Sequence, residues 1–209
     1  MSKNIAVLVS GGGTNLQALI DAQNRNELGG GRITAVISSK EGAYALERAA
    51  KAGIAGYVLP RKNFDSNRAM TVALVEMLKE LHVDLVVLAG CMVIFTEELV
   101  AAYPNAIMNV HPALIPSFCG KGFYGLHVHE KAIEYGVKVS GATVHFVNEE
   151  CDGGPIIAQE AVPVLPSDTP ETLQRRIMEQ AEWKALPRAV ALFCQDKLRV
   201  EGRTVIIED

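Results

Sequence analysis

Ile5-Ala6-Val7-Leu8-Val9-Ser10-Gly11-Gly12-Gly13-Thr14-Asn15 is the stretch on which the fold turns. An unbroken apolar run of this kind predicts a strand buried on both faces, as in a parallel sheet. Ser10 and three glycines end it, and Leu16, Leu19, Ile20 and Ala22 then recur at helical spacing from Thr14 to about Asn26. The same alternation continues outward. Ile33 to Ser38 is a second strand, about Ala43 to Ala52 a helix stopped by Gly53, and Gly56 to Leu59 a short strand closed by Pro60. Asp65 and Ser66 are candidate caps for a long amphipathic helix through Met70, Leu74, Met77, Leu78 and Leu81. The buried strand Asp84 to Gly90 and a short helix near Thr96 to Ala102 lead to Ala106-Ile107-Met108-Asn109-Val110-His111-Pro112. Strands and helices alternating over residues 1 to 112 predict an α/β fold. Its sheet is doubly wound and mostly parallel, with helices on both faces.

The pattern changes after Pro112. Residues 116 to 125, rich in glycine and aromatics, predict a mobile loop, followed by a helix from Leu126 to Tyr135. Val139 to Val147 and Ile156 to Val164 are strands joined by the polar turn Asn148 to Pro155, an antiparallel C-terminal addition to the sheet. A helix runs from about Pro170 through Glu182 to Phe193 with an interruption near Pro187, and Lys197 to Ile207 forms a hairpin turning at Glu201-Gly202. No repeat or low-complexity linker divides the chain, so residues 1–209 are expected to form a single domain. Within it, 1–112 is the phosphate-binding half and 113–209 carries the loop, antiparallel strands and last helix.

Composition narrows the partners. Hydrophobic residues make up 49% and charged residues 21%, enough apolar mass for a core. The net charge of −4, with no basic cluster, points away from nucleic acid and anionic membranes, and no apolar run approaches the ~20 residues that span a bilayer. Cys91, Cys119, Cys151 and Cys194 are dispersed without a C-x-x-C pair, as in a cytoplasmic protein with reduced thiols. No signal peptide is visible at Met1-Ser2-Lys3-Asn4.

Three places can carry chemistry. On an extended strand i and i+2 share a face, so Asn109 and His111 project together, and Pro112 ends the strand where they emerge. An amide donor beside an imidazole suits chemistry at a carbonyl carbon; the plain alternative is a strand end satisfying nearby backbone. Ser10 to Asn15 can cradle an anion on glycine amides and a helix N-terminus. Dinucleotide binding fails there, because Leu16 stands where the third glycine belongs and Ser38-Ser39-Lys40 offers no acid. A single phosphomonoester fits; the alternative is a tight strand-to-helix turn. Glu149-Glu150-Cys151-Asp152-Gly153-Gly154-Pro155 can aim a carboxylate inward, and a carboxylate beside an imidazole raises its pKa; solvated acids on a hairpin turn are the alternative. His127 and His129 would not share a face at a helix start, so no metal site is expected. His145 is expected as a hydrogen-bonded core histidine and His82 as a surface cap.

Ser10 to Asn15, Leu88-Ala89-Gly90-Cys91-Met92, Asn109-Val110-His111-Pro112, Leu114-Ile115-Pro116 and Asp152-Gly153-Gly154-Pro155 occur in order. Together they resemble the phosphoribosylglycinamide formyltransferase family, over nearly the whole chain. The resemblance implies transfer of a formyl group from 10-formyltetrahydrofolate, a cosubstrate, to the amine of 5'-phosphoribosylglycinamide in purine synthesis, without a metal. It implies a cytoplasmic enzyme, monomer or homodimer, with these small molecules as partners. Gly13, Thr14 and Asn15 match the loop that holds the substrate phosphate. Met92, Val93, Ile94 and Phe95 match the segment lining the pterin pocket. Asn109, His111 and Asp152 match the catalytic trio, with Asn109 also meeting the folate, and Glu182 and Glu179 match residues near the ribose and amine. Departures are Val93 where the family often has arginine, Ala113 for a serine, and a longer loop at Phe118 to Tyr124. Asn67 stands where a basic residue is expected, leaving neighbouring Arg68 to touch the folate.

Two other enzymes could use the same trio: a formyltetrahydrofolate hydrolase, with an added N-terminal domain, and an aminoacyl-tRNA formyltransferase, with an added C-terminal one. A non-catalytic phosphate-binding module would not need Asn109, His111 and Asp152 to converge.

Overall fold

The computed structural model describes residues 2–208. The first half alternates β1 (Asn4–Val9), α1 (Thr14–Asn24), β2 (Arg32–Ser38), α2 (Tyr44–Lys51), β3 (Ala55–Val58), α3 (Asn67–Glu80), β4 (Leu85–Leu88), α4 (Glu97–Ala102) and β5 (Ile107–His111). The second half adds α5 (Leu126–Tyr135), β6 (Val139–Phe146), β7 (Ile156–Pro163), α6 (Pro170–Ile177), α7 (Trp183–Cys194), β8 (Leu198–Glu201) and β9 (Thr204–Ile207). All nine strands of the described residues join one sheet in the order β3-β2-β1-β4-β5-β6-β7-β9-β8. The first five are parallel neighbours; β6 runs antiparallel to β5, and β7 to β6. The expected architecture is therefore the one observed.

Period-two alternation divides β1 between two cores. Ile5, Val7 and Val9 face a cluster with Leu16 and Leu19 of α1 and Leu186 and Val190 of α7. Ala6 and Leu8 face the other side, with Leu74 and Leu78 of α3 and Leu99 of α4. Both faces of the parallel strands are thus covered, which is why they are apolar without alternation in the sequence. Ser66 caps α3, its side chain accepting from the Ala69 amide at 3.0 Å.

Two expectations shift. The last long helix is not interrupted at Pro187 but by a wide π turn, Met178–Glu182, just before α7. Pro187 has no N–H to return to the Trp183 carbonyl, and it sits inside α7 without ending it. The C-terminal hairpin forms where expected, but it also docks on the sheet, β9 pairing with β7 through Ile156 and Thr204.

Candidate active site

β5 presents Asn109 and His111 to the loops at its carboxyl end, and β6 lies antiparallel beside it with His145 opposite Asn109 and Thr143 opposite His111. The Thr143 hydroxyl donates to the Ala113 carbonyl at 2.7 Å and accepts from the Ile115 amide at 3.1 Å, fixing the chain as it leaves the strand. Asp152 comes from the turn between β6 and β7, at φ 55. That turn needs Gly154, because a Cβ there would stand 1.8 Å from the Phe146 carbonyl oxygen.

The three groups expected to meet do meet. The Asn109 amide donates toward Asp152 Oδ1 at 3.4 Å and lies 3.2 Å from His145 Nε2. His145 Nδ1 stands 2.8 Å from the Phe146 carbonyl, and its Nε2 faces both the Asn109 amide and, at 3.6 Å, Asp152 Oδ1. His111 Nδ1 is 3.5 Å from Asp152 Oδ2, a charge contact longer than a tight hydrogen bond, and His111 Nε2 is 2.8 Å from the Phe118 carbonyl. Two residues further along that loop, the Gly120 amide donates to Asp152 Oδ2 at 2.8 Å. Both side chains therefore hold backbone of the loop 116–125.

The electrostatics add burial to the expected effect of the carboxylate. His111 is 4% exposed, and this burial holds its pKa below the usual imidazole value. Asp152 and the Phe118 carbonyl pull upward and His145 downward, but burial wins. Asp152 does pull the ring upward, as a carboxylate beside an imidazole is expected to, but the packing of the loop over His111 removes the water that a cation needs. Asp152 stays below the usual carboxylate range. Burial pushes it up, but His145, His111 and the Gly120 amide together outweigh that.

The glycine loop lies at the carboxyl end of β1. Gly13 is left-handed at φ 70, and a Cβ on it would fall 2.7 Å from the Ala45 Cβ of α2. The Gly11 carbonyl accepts from the Ala45 amide at 3.1 Å and the Gly12 carbonyl from Arg48 Nε at 2.9 Å. Two successive carbonyls are thus tied to α2, and in a planar peptide the amide at the far end of each points the other way. Those amides, with the first ones of α1, are of the kind that can receive an anion. Asn15, in the first turn of α1, donates to Glu182 Oε2 at 2.6 Å, while its own Oδ1 has no partner. Burial raises the Glu182 carboxyl, the Asn15 amide opposing it. Thr14 Oγ1 lies 3.9 Å from Met178 Sδ. Glu179 does not join them: it lines a separate surface groove with Glu171, Thr172, Arg175, Arg176 and Gln180.

Segment 92–95 follows β4. The Met92 amide donates to Ser10 Oγ at 2.8 Å, and Ser10 also hydrogen-bonds Ser39, so one hydroxyl joins the loops after β1, β2 and β4. Val93 and Phe95 turn inward to a narrow apolar crevice shared with Leu8 and Met70, whereas Met92 and Ile94 are 52% and 70% exposed. Arg68 is ion-paired with Glu98 at 2.5 Å. His127 is on the surface near Glu130 and His129 is buried, so they do share no face. Among the described residues no group of three His, Cys, Asp or Glu could hold a metal ion, and no helix is long and apolar enough to cross a membrane.

Sequence reading does not reach the partnership of His145 with Asn109, the link of Ser10 to Met92, or the loop carbonyl and amide of Phe118 and Gly120. His145 is the hydrogen-bonded core histidine expected, 2% exposed and held by the Phe146 carbonyl. Only the β5–β6 register turns its ring to Asn109, and a polar residue in the middle of an apolar strand was the one local signal.

An amide donor and an imidazole at the end of β5, a carboxylate from the β6–β7 turn and a glycine loop after β1, two strands away, make a site of the kind found in group-transfer enzymes that act at a carbonyl carbon. The chain belongs to the formyl transferase family, whose profile matches residues 3–190. It is 42% identical to the phosphoribosylglycinamide formyltransferase of Haemophilus influenzae, over 99% of this chain and 94% of that one. Its fold superposes on glycinamide ribonucleotide transformylase 1 of Symbiobacterium toebii with a TM-score of 0.94 and 45% identity, covering 100% of this chain and 95% of that one. A formyltetrahydrofolate deformylase of Pseudomonas syringae is also similar in structure, with a TM-score of 0.89, but at 27% identity and with 67% of that chain covered.

Proposed function

We propose that this chain transfers the formyl group of 10-formyltetrahydrofolate to the amine of 5'-phosphoribosylglycinamide. The observation that carries the reading is the convergence of Asn109, His111 and Asp152 beside a preorganised phosphate cradle in a chain matched end to end by transferases of this kind. The whole chain acts as one formyltransferase domain, supported by its continuous sheet, and it works in the cytoplasm. Gly13, Thr14 and Asn15 receive the phosphate. Glu182, already bonded to Asn15, faces the ribose and amine. The pterin lies along 92–95, where Met92 and Ile94 leave apolar surface open.

The amine attacks the formyl carbon directly, forming a C–N bond and an oxyanion. Asn109 donates to that oxyanion; donors of this type contribute roughly 3 kcal/mol. The amine nitrogen must lose a proton, and the folate nitrogen N10 must gain one to leave. A neutral His111 takes the first proton, with Asp152 stabilising the imidazolium, and returns it to N10 as the C–N10 bond breaks. No proton is consumed overall and no covalent enzyme intermediate forms.

An absorbance assay of folate deformylation tests the reading. With the ribonucleotide present, His111→Ala is expected to lower kcat by roughly 10²–10⁴-fold and Asn109→Ala by about 10²–10³-fold, both variants remaining folded by circular dichroism. Deformylation by the wild type without ribonucleotide would assign the chain to hydrolases, and no turnover of either kind would reduce it to a phosphate-binding module.

A further inference from the structure

Two thiols stand beside Asp152 and take no part in the proposed chemistry. Cys151 precedes it on the β6–β7 turn, is exposed, and directs its S–H to Asp152 Oδ2 at 3.8 Å. Cys119 belongs to the loop 116–125 and is half-buried, its S–H donating to the Pro116 carbonyl at 3.3 Å. The next amide of that loop, Gly120, donates to the same Asp152 Oδ2 at 2.8 Å. One carboxylate oxygen thus draws the chain at Cys119 up to the chain at Cys151. The other cysteines lie elsewhere: Cys194 is buried against Gly31 before β2, and Cys91 lines the apolar crevice under segment 92–95. Phe118, the residue before Cys119, places its carbonyl 2.8 Å from His111 Nε2, while His111 Nδ1 faces Asp152. With the loop in this position, each ring nitrogen of His111 already faces a protein oxygen.

We propose that Cys119 and Cys151 are a site of reversible oxidation, at which an intramolecular disulfide pins the loop 116–125 over His111 and stops turnover. The effect on turnover rests on the transferase reading above; the bond itself does not. The oxidant is a small disulfide such as oxidised glutathione. Cys151, the more exposed thiol, loses its proton, and its thiolate attacks one sulfur of the small disulfide, expelling a glutathione thiolate. The Cys119 thiolate then attacks Cys151 Sγ; the protein S–S bond forms and the second glutathione leaves. Two protein thiols are oxidised and one small disulfide is reduced to two thiols. A disulfide needs its two Cα atoms within about 7 Å, so the bond forms only while the Gly120 amide sits on Asp152 and the Phe118 carbonyl on His111. Burial first, then the Asp152 charge, holds both thiols above their usual range, with Glu150 also facing Cys119. Exchange at pH 7 is therefore slow, because the thiolate is the nucleophile. Disulfides of cytoplasmic proteins are usually transient ones of this kind.

The test incubates wild type, Cys119→Ser, Cys151→Ser and Cys91→Ala with oxidised glutathione at alkaline pH. Non-reducing peptide mass spectrometry then reads the bond, and formyl-transfer assays before and after dithiothreitol read its effect. Wild type and Cys91→Ala are expected to lose two hydrogens, to join the Cys119 and Cys151 peptides, and to lose kcat by at least about tenfold, as for a loop that cannot open. Dithiothreitol should restore both. Neither serine variant should form the bond, and each should keep its turnover through the treatment within about twofold. A wild type that stops at a glutathione adduct on Cys151 would overturn the pair. A complete cross-link with unchanged kcat would overturn the pinned loop. An equal loss in Cys119→Ser would assign the inhibition to the glutathione adduct and overturn the proposal as well. Absence of turnover in the reduced wild type would instead overturn the transferase reading, with the cross-link still decided by mass.

Discussion

His111 has an acceptor at each ring nitrogen, the Phe118 carbonyl and the Asp152 carboxylate, an arrangement that an imidazolium would satisfy. Burial nevertheless keeps its pKa below the usual value of about 6.5. A histidine that starts neutral and must take the proton of the amine loses activity as pH falls, so kcat/KM is expected to show an acid limb with its midpoint below that value. A profile that instead declines on the alkaline side of pH 6.5 would mean the imidazolium is resident and would sink the neutral-His111 sequence. His129 makes a second pH statement. It is 1% exposed and neither ring nitrogen has a partner. Burial first, then the nearby His111, pushes it down to about 4. Its folded pKa lies below the unfolded one, so below pH 6.5 the unfolded chain binds a proton that the folded chain refuses. Its contribution is therefore full above about pH 6.5 and is lost as pH falls towards 4, about 3 kcal/mol in total. Urea unfolding at pH 7.5 and 4.5 should show His129→Leu losing less stability between the two than the wild type. Equal losses would show that another group is responsible. The sequence places His129 one residue from His127, but nothing local tells that the helix turns one outward and the other into an apolar shell.

At the scale of elements, α2 fixes the glycine loop rather than merely covering the sheet. Ala45 and Arg48 hold the Gly11 and Gly12 carbonyls, and Gly13 packs against Ala45 with no room for a Cβ. Gly13→Ala combines a left-handed backbone with a contact to Ala45 2.7 Å away. It is expected to cost roughly 1–3 kcal/mol and to rotate the amides proposed to receive the phosphate. KM for the ribonucleotide should rise while KM for the folate stays near the wild type; steady-state kinetics with each substrate varied in turn decides it. Both changing together would mean that the loop also carries the folate segment through Ser10 and Met92. Strands and helices were legible because their signals are local: apolar runs for β1 and β4, helical spacing for α3, glycine and proline stops. The partnership of Asn109 with His145, the shift of the helix break to Met178–Glu182, and the docking of the C-terminal hairpin were not legible. Each depends on register or packing between segments far apart in the chain. The trio itself was legible only as residue types in order, since the turn that carries Asp152 lies 41 residues beyond His111.

Across the whole molecule, the candidate site gathers at one end of the sheet, around the carboxyl ends of β1, β4 and β5. The strand order reverses between β1 and β4, and open α/β sheets leave a crevice at such a point. The glycine loop stands on one side of it and Asn109, His111 and Asp152 on the other, so on the proposed function both substrates meet where the sheet cannot cover its own end. The opposite margin is built differently. β9 joins β7 through one residue pair, and beyond it β8 has only β9 as neighbour. β1 is paired along its length on both sides and is almost wholly buried. Local opening is cheapest where few ladder bonds and little apolar burial must be given up. Hydrogen exchange is therefore expected to be orders of magnitude faster for β8 and β9 amides than for those of β1 and β4, which should open only with global unfolding. None of the candidate site residues lies in the hairpin, so a chain ending at Lys197 should keep kcat within a few-fold. It should still be less stable, because Leu198, Val200 and Val205 pack against the core. Matching exchange rates across the sheet, or loss of turnover in a truncated chain that remains folded, would show that the hairpin is coupled to the active end and does more than close an edge.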